Sequence, residues 1–218
     1  MTAREKWIVL ALRLGVVAPV LYFGVQAAAA PFYPGYSFLS RDASTLGSEG
    51  SRFPAVFNVG AMAVGVAMLV VAAGFWYALR RLGTHAALAG SIALAIGGFG
   101  VSSINAGIFP LPDPRHSVGL AAAMGLGIVA LPLLLPAALR SLQPGRALRA
   151  FLFGNALVLL ALVPVMSGLL QRIEIGAGFE IPGLQWFLNN CQGLLQRILA
   201  FVALAPVAAT AWFLAKRL

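Results

Sequence analysis

Six long apolar runs divide this chain, and each exceeds the length of a strand without alternating strictly between polar and apolar positions. Runs of about 20 apolar residues span a bilayer as helices, and a barrel would need period-two alternation. The spans read as Trp7 to Ala30, Asn58 to Leu79, Ala86 to Ile108, Ser117 to Leu139, Ala150 to Leu170 and Gln192 to Ala215. The fold class is therefore all-α, a single transmembrane domain over residues 1–218, with a long outer loop over 31–57. Charge is sorted between the connections. Arg4, Lys6, Arg13, Arg80, Arg81, Arg140, Arg146, Arg149, Lys216 and Arg217 fall on one side with Glu5 as its only acid, a net +9. Arg41, Arg52, Arg115, Arg172 and Arg197 fall on the other, balanced by Asp42, Glu49, Asp113, Glu174 and Glu180. Lysine and arginine accumulate on the cytoplasmic side of membrane proteins, so both termini are expected inside and the acids outside.

This distribution decides between partners. Excess positive charge in a soluble chain would suggest nucleic acid. Here 61% of 218 residues are hydrophobic and only 10% are charged, and the cations sit beside apolar runs. They read as topology signals that meet anionic lipid, not as a nucleic-acid surface. The start of the chain also resembles a signal peptide, with Arg4 and Lys6 before an apolar stretch that ends in Ala27 to Ala30. Pro31 follows at once and should hinder cleavage, so the stretch is expected to stay as the first span. Cys191 is the sole cysteine, which excludes an intrachain disulfide and a multi-thiol metal site. It is expected near the outer surface as small filler.

Polar residues are uneven with depth. Asn58, Ser102, Ser103, Asn105, Ser117, Ser167, Gln171, Asn189, Asn190, Gln192 and Gln196 lie toward the outer ends, whereas the inner halves hold little beyond Arg13, Ser91, Asn155 and Thr210. Clustered polar groups in a bilayer face a shared interior, because hydrocarbon cannot satisfy them. The pattern points to a polar pocket open to the outer side and closed below by an apolar plug. A transport path needs polar groups throughout, so a small-solute transporter is the least favoured reading.

Two groups of residues could carry chemistry. Gly168-Leu169-Leu170-Gln171-Arg172-Ile173 recurs as Gly193-Leu194-Leu195-Gln196-Arg197-Ile198, at the end of span five and the start of span six. Arg172 and Arg197 read as a cation pair for an anionic group, with Asn105, Gln196, Asp42 and Glu49 around it; interfacial anchoring is the plainer alternative. The second group is Asn105-Ala106-Gly107-Ile108-Phe109-Pro110-Leu111-Pro112-Asp113-Pro114-Arg115-His116. Asp113 and His116 could serve as an acid–base pair, or His116 could join Asp42, Glu49, Glu174 or Glu180 on a metal. A capped helix start with an Asp–Arg surface pair explains the same residues. No metal and no cofactor is named by the sequence. A bis-histidine haem is not expected, because His85 and His116 are assigned to opposite sides.

The Tyr33-Pro34-Gly35-Tyr36-Ser37 opening, the Ser40 to Gly47 loop, Ile108-Phe109-Pro110 with Asp113 and His116, and Gly193-Leu194-Leu195-Gln196-Arg197 occur in this order over nearly the whole chain. In this the chain resembles the domain-of-unknown-function family 998, small multi-span membrane proteins of bacteria and archaea. Family members often have Ser-Glu-Leu-Gly where this chain has Ser44-Thr45-Leu46-Gly47; Glu49 comes a little later. The resemblance implies an integral membrane fold and no established reaction. Three functions compete. One is binding of a lipid head group, an amphiphile or a membrane-protein partner at the outer leaflet. The second is a hydrolase or transferase that uses Asp113 and His116 on an amphiphile, and the third is a transporter. The oligomeric state is not encoded in any feature of the chain.

Overall fold

The computed structural model describes residues 1–116, 130–166, 186, 187 and 190–218, without the side chains of 163–166. Arg172, Glu174, Glu180, the first copy of the repeat and the start of span four lie outside the described residues. Every regular element described is helical: α1 (Ala3–Ala29), α2 (Pro54–Arg81), α3 (Ala86–Ile108), α4 (Ala130–Leu142), α5 (Arg146–Met166) and α6 (Gln192–Ala215). Four stretches are long and apolar enough to cross a membrane, namely Ala3–Phe32, Pro54–Arg81, Ala86–Ile108 and Gln192–Ala215.

The helix ends follow local chemistry. Thr2 and Glu5 close a reciprocal capping box, so α1 starts before the apolar run does. Pro54 occupies the first turn of α2, where its missing N–H is harmless, and the helix therefore begins four residues before Asn58. The connection after α1 is correspondingly shorter than the sequence suggests. It opens with a 3₁₀ turn at Ala30–Phe32 and holds another at Ala43–Gly47. The His85 side chain caps α3 by accepting from the Ala87 amide.

Small residues let the helices approach. A Cβ on Gly74 would lie 2.7 Å from the Ala11 Cβ, and one on Gly60 2.5 Å from Val25 Cγ1, so α1 and α2 run antiparallel. Gly65 and Gly107 face α3 and α2 backbone in the same antiparallel sense. A Cβ on Gly15 would lie 3.1 Å from Ala211, which sets the start of α1 beside the end of α6. Asn155 donates to the Val202 carbonyl at 2.6 Å, and Leu159 packs with Val202, Ala203, Ile198 and Leu199, so α5 and α6 are also antiparallel. Both termini thus share one end of the bundle.

That end is basic and aromatic. Arg81 pairs with Glu5, Arg4 lies over Tyr77, Lys216 over Trp212 and Arg217 over Phe213. Trp7 meets Tyr77 edge to face. Aromatic rings beside cations mark a membrane–water interface. Between the ends the outward faces are oily: Leu94 is 78% exposed, Val20 71% and Leu10 65%. Water would penalise such continuous apolar exposure, and lipid would not.

Candidate functional site

The opposite end is built around the connection from α1 to α2. Gly35, at φ +67, turns the chain so that Tyr36 faces back over the loop. The Tyr36 hydroxyl donates to the Asp42 carbonyl at 3.0 Å, and Arg41 donates to the Tyr33 hydroxyl at 2.9 Å. The start of α6 then holds this loop. The Ala43 amide donates to Gln196 Oε1 at 2.7 Å, and the Leu194 amide to the Leu39 carbonyl at 2.9 Å. Three carbonyls converge on Arg197 Nη1: Phe38 at 2.9 Å, Arg41 at 3.0 Å and Gly193 at 2.7 Å. Nη2 of Arg197 donates to the Tyr36 hydroxyl, and the guanidinium lies over Phe38. Gly193 makes room for this clasp, since a Cβ there would sit 2.3 Å from the Arg41 carbonyl oxygen.

Burial raises the Asp42 carboxyl above its ordinary pKa, and the nearby Arg197 charge offsets this in part. Burial likewise raises the Tyr36 hydroxyl, again against the pull of Arg197. Glu49 is exposed farther along the loop. Cys191 precedes α6 and is buried beneath the surface.

Under the clasped loop lies a cavity of about 60 Å³. Ala43 and Ser44 roof it, α1 contributes Tyr22, α3 contributes Ser102 and Ser103, and α6 contributes Gln196. Among the described residues its lining includes no charged side chain. Ser102 is 2% exposed, and its hydroxyl has no partner among the described residues. The same is true at this end for Gln26 Oε1, Asn58 Oδ1 and Arg197 Nε. A buried polar atom without a partner is costly unless water or a ligand group compensates, and of these four Ser102 is the one that lines the cavity.

A second cluster lies in the turn after α3. Arg115 binds the Asp113 carboxylate through its amide at 2.9 Å, Nε at 3.0 Å and Nη2 at 2.6 Å. These bonds hold the Asp113 pKa down at about 2. His116 is 4% exposed, and its Nδ1 lies 2.8 Å from the Phe109 carbonyl oxygen. A carbonyl only accepts, so Nδ1 is the donor in this contact. Asn105 Nδ2 donates to the carbonyls of Arg115 at 3.0 Å and His116 at 3.4 Å, pinning the turn to α3. Asp42, Gln196 and Arg197 therefore form one cluster, and Asn105, Asp113 and His116 another. No hydrogen bond or ion pair among the described residues joins the two. Nor, among the described residues, do three His, Cys, Asp or Glu side chains come together. His85 sits at the start of α3, at the basic end.

The Arg115 clamp has a measurable consequence. An ionised Asp113 is favoured in the fold, so its contribution is complete above 3.8 and is lost as pH falls toward about 2. Carboxyl NMR should place the Asp113 midpoint near that lower value and return it toward 3.8 in Arg115→Gln. A wild-type midpoint at 3.8 would show that the clamp does not form.

A model of the family described as "Protein of unknown function (DUF998)" matches residues 16–213. The chain belongs to this family. No curated protein and no solved structure matches it. The DUF998 span contains both clusters and the cavity, and leaves out only the ends of the chain. The polar pattern singles out Gln196, Ser102 and Ser103 in the sequence, and the repeat singles out Arg197. Tyr22 and Gln26 carry no such signal, and Tyr36 stands out only as part of the Tyr33 to Ser37 motif. Gly193 gave a usable signal, being a small residue one helical turn before an arginine.

Proposed function

We propose that this DUF998 protein crosses the cytoplasmic membrane six times with both termini inside, and binds the uncharged polar end of a lipid or other amphiphile beneath its outer loop. The observation that carries this reading is the roofed cavity with the unpartnered Ser102 hydroxyl. A hydroxyl or amide group could satisfy Ser102, whereas an anion would meet no cation among the described lining residues. The arginine nearest in sequence to Gln196 is already occupied by loop carbonyls. At about 60 Å³ the cavity is far smaller than the ~300–1,000 Å³ typical of ligand sites, so only the tip of an amphiphile would enter. Recognition of a whole head group would require the loop to lift.

The hydrolase or transferase reading draws less support. Asp113 faces Arg115, and the imidazole Nδ1 of His116 is engaged by a backbone carbonyl. A general base needs a free lone pair near substrate, and only Nε2 could provide it.

Native mass spectrometry of the protein in gentle detergent tests the binding reading. Wild type should retain a neutral lipid or amphiphile. Ser102→Leu should lose it while the thermal midpoint holds, because leucine fills the space and removes the unsatisfied oxygen. An undiminished adduct in the folded variant would refute the cavity as the site, as would a wild type that never carries one.

A further inference from the structure

A second groove, with a volume of about 910 Å³, lies at the other end of the molecule, between α4 and α5. Its wall is apolar and outward-facing: Leu133 is 63% exposed, Phe153 66%, Leu157 53% and Leu160 54%. Its mouth carries Arg140 and Arg149, both exposed. The turn that joins the helices places both cations along one groove. Gln143 takes a left-handed conformation at φ +46, Pro144 follows, and α5 starts at Arg146. Neither Arg140 nor Arg149 has an acidic partner among the described residues. The antiparallel packing of α5 on α6 puts this mouth at the end that carries both termini.

We infer that this groove is a binding site for one anionic phospholipid of the leaflet next to the basic end. Charge complementarity identifies the occupant. Two guanidinium groups at a membrane interface suit a phosphate, which they bind through paired donors. The apolar wall continues from them along α5 into the hydrocarbon, where an acyl chain lies. Basic pockets between transmembrane helices on the cytoplasmic side take acidic head groups for this reason. The volume falls within the ~300–1,000 Å³ typical of ligand sites. A zwitterionic lipid offers the same chain with no net charge, so the arginine pair should discriminate against it. This site shares no residue with the cavity under the loop, and either could exist without the other.

Native mass spectrometry of the full chain in neutral detergent, titrated with phosphatidylglycerol, tests the inference. Phosphatidylglycerol should bind more tightly than phosphatidylcholine of the same chains. Arg140→Gln with Arg149→Gln should weaken phosphatidylglycerol roughly 30-fold, with an unchanged circular dichroism spectrum. A charge-matched control, Arg146→Gln with Arg217→Gln, should leave binding within about twofold, because neither residue lines the groove. Glycerophosphate, which has the anion and no chains, should not compete at the lipid's own concentration. Equal binding of the two lipids, equal losses in the two double variants, or competition by glycerophosphate would each overturn the inference.

Discussion

Gly65→Ala should destabilise the bundle by about 1–3 kcal/mol, the usual cost of overpacking, even though alanine is the better helix former by up to ~1 kcal/mol. The reason is the contact between α2 and α3. A Cβ on Gly65 would sit 2.5 Å from the Gly100 carbonyl oxygen and 2.6 Å from Ile104 Cγ1. Backbone cannot rotate away, so the two helices must separate. A Cβ on Gly100 would meet the Gly65 carbonyl oxygen at 2.7 Å, and one on Gly107 the Asn58 carbonyl oxygen at 2.5 Å. Separation at one of these points loosens all three. Lipid offers little hydrophobic drive to bring transmembrane helices together, so close van der Waals approach carries much of their association. Thermal unfolding in detergent measures the effect. Gly24→Ala is the control, because a Cβ there meets nothing within 4 Å. It should be neutral or slightly stabilising. Equal midpoints for Gly65→Ala and Gly24→Ala would refute the close packing.

Arg197→Ala should free the loop between α1 and α2 from α6. The guanidinium donates to the carbonyls of Phe38 and Arg41 and to the Tyr36 hydroxyl, and no other side chain of α6 reaches all three. Hydrogen bonds to charged groups contribute about 1.5–3 kcal/mol each, though water would replace some of these once the loop lifts. A net loss of about 2–4 kcal/mol is expected, which raises amide exchange roughly 30-fold or more where the loop touches α6. The Leu194 amide, bonded to the Leu39 carbonyl, is the clearest reporter. Arg197→Lys should not restore protection, since an ammonium lacks the planar fork that spans these acceptors. Asp42 adds a pH dependence. Its folded pKa is raised above 3.8 by burial, so the fold favours the protonated form. Loop protection should be greatest below that value and decline as pH rises through the raised pKa; Asp42→Asn should remove the decline. Unchanged exchange at Leu194 in Arg197→Ala would show that the guanidinium does not hold the loop.

The helices were legible where local chemistry marks their ends. The bounds of α3 and α6 follow from His85 before one apolar run, Phe109-Pro110 after it, and Gln192 and Lys216 around the other. The start of α2 was less legible. Asn58 reads as a polar boundary, yet its side chain turns back to donate to the Gly47 carbonyl at 3.1 Å from inside the helix. Of the clasp, only Gly193, one helical turn before Arg197, left a mark in the sequence. An arginine among polar residues suggests an anion, but Arg197 meets backbone carbonyls, and these carry no side-chain signature in a sequence. Asp113 and His116 show a different difficulty. Their spacing suits an acid–base pair, but Arg115 lies between them and reaches the carboxylate first. The uneven depth of polar residues puts Ser102, Asn58 and Gln196 toward the ends of their spans, and in the structure these ends lie on the same side of the bundle as the loop.

Membrane sidedness underlies both proposed sites, and labelling with a membrane-impermeant maleimide tests it most directly. Cys191 is the sole native cysteine and is buried, so Cys191→Ser gives a clean background. Single cysteines then replace Glu49 on the exposed loop and Lys216 at the far end. The account predicts that Glu49→Cys reacts in intact cells and that Lys216→Cys reacts only after the membrane is opened. Labelling of Lys216→Cys from outside, or of both positions equally, would contradict it.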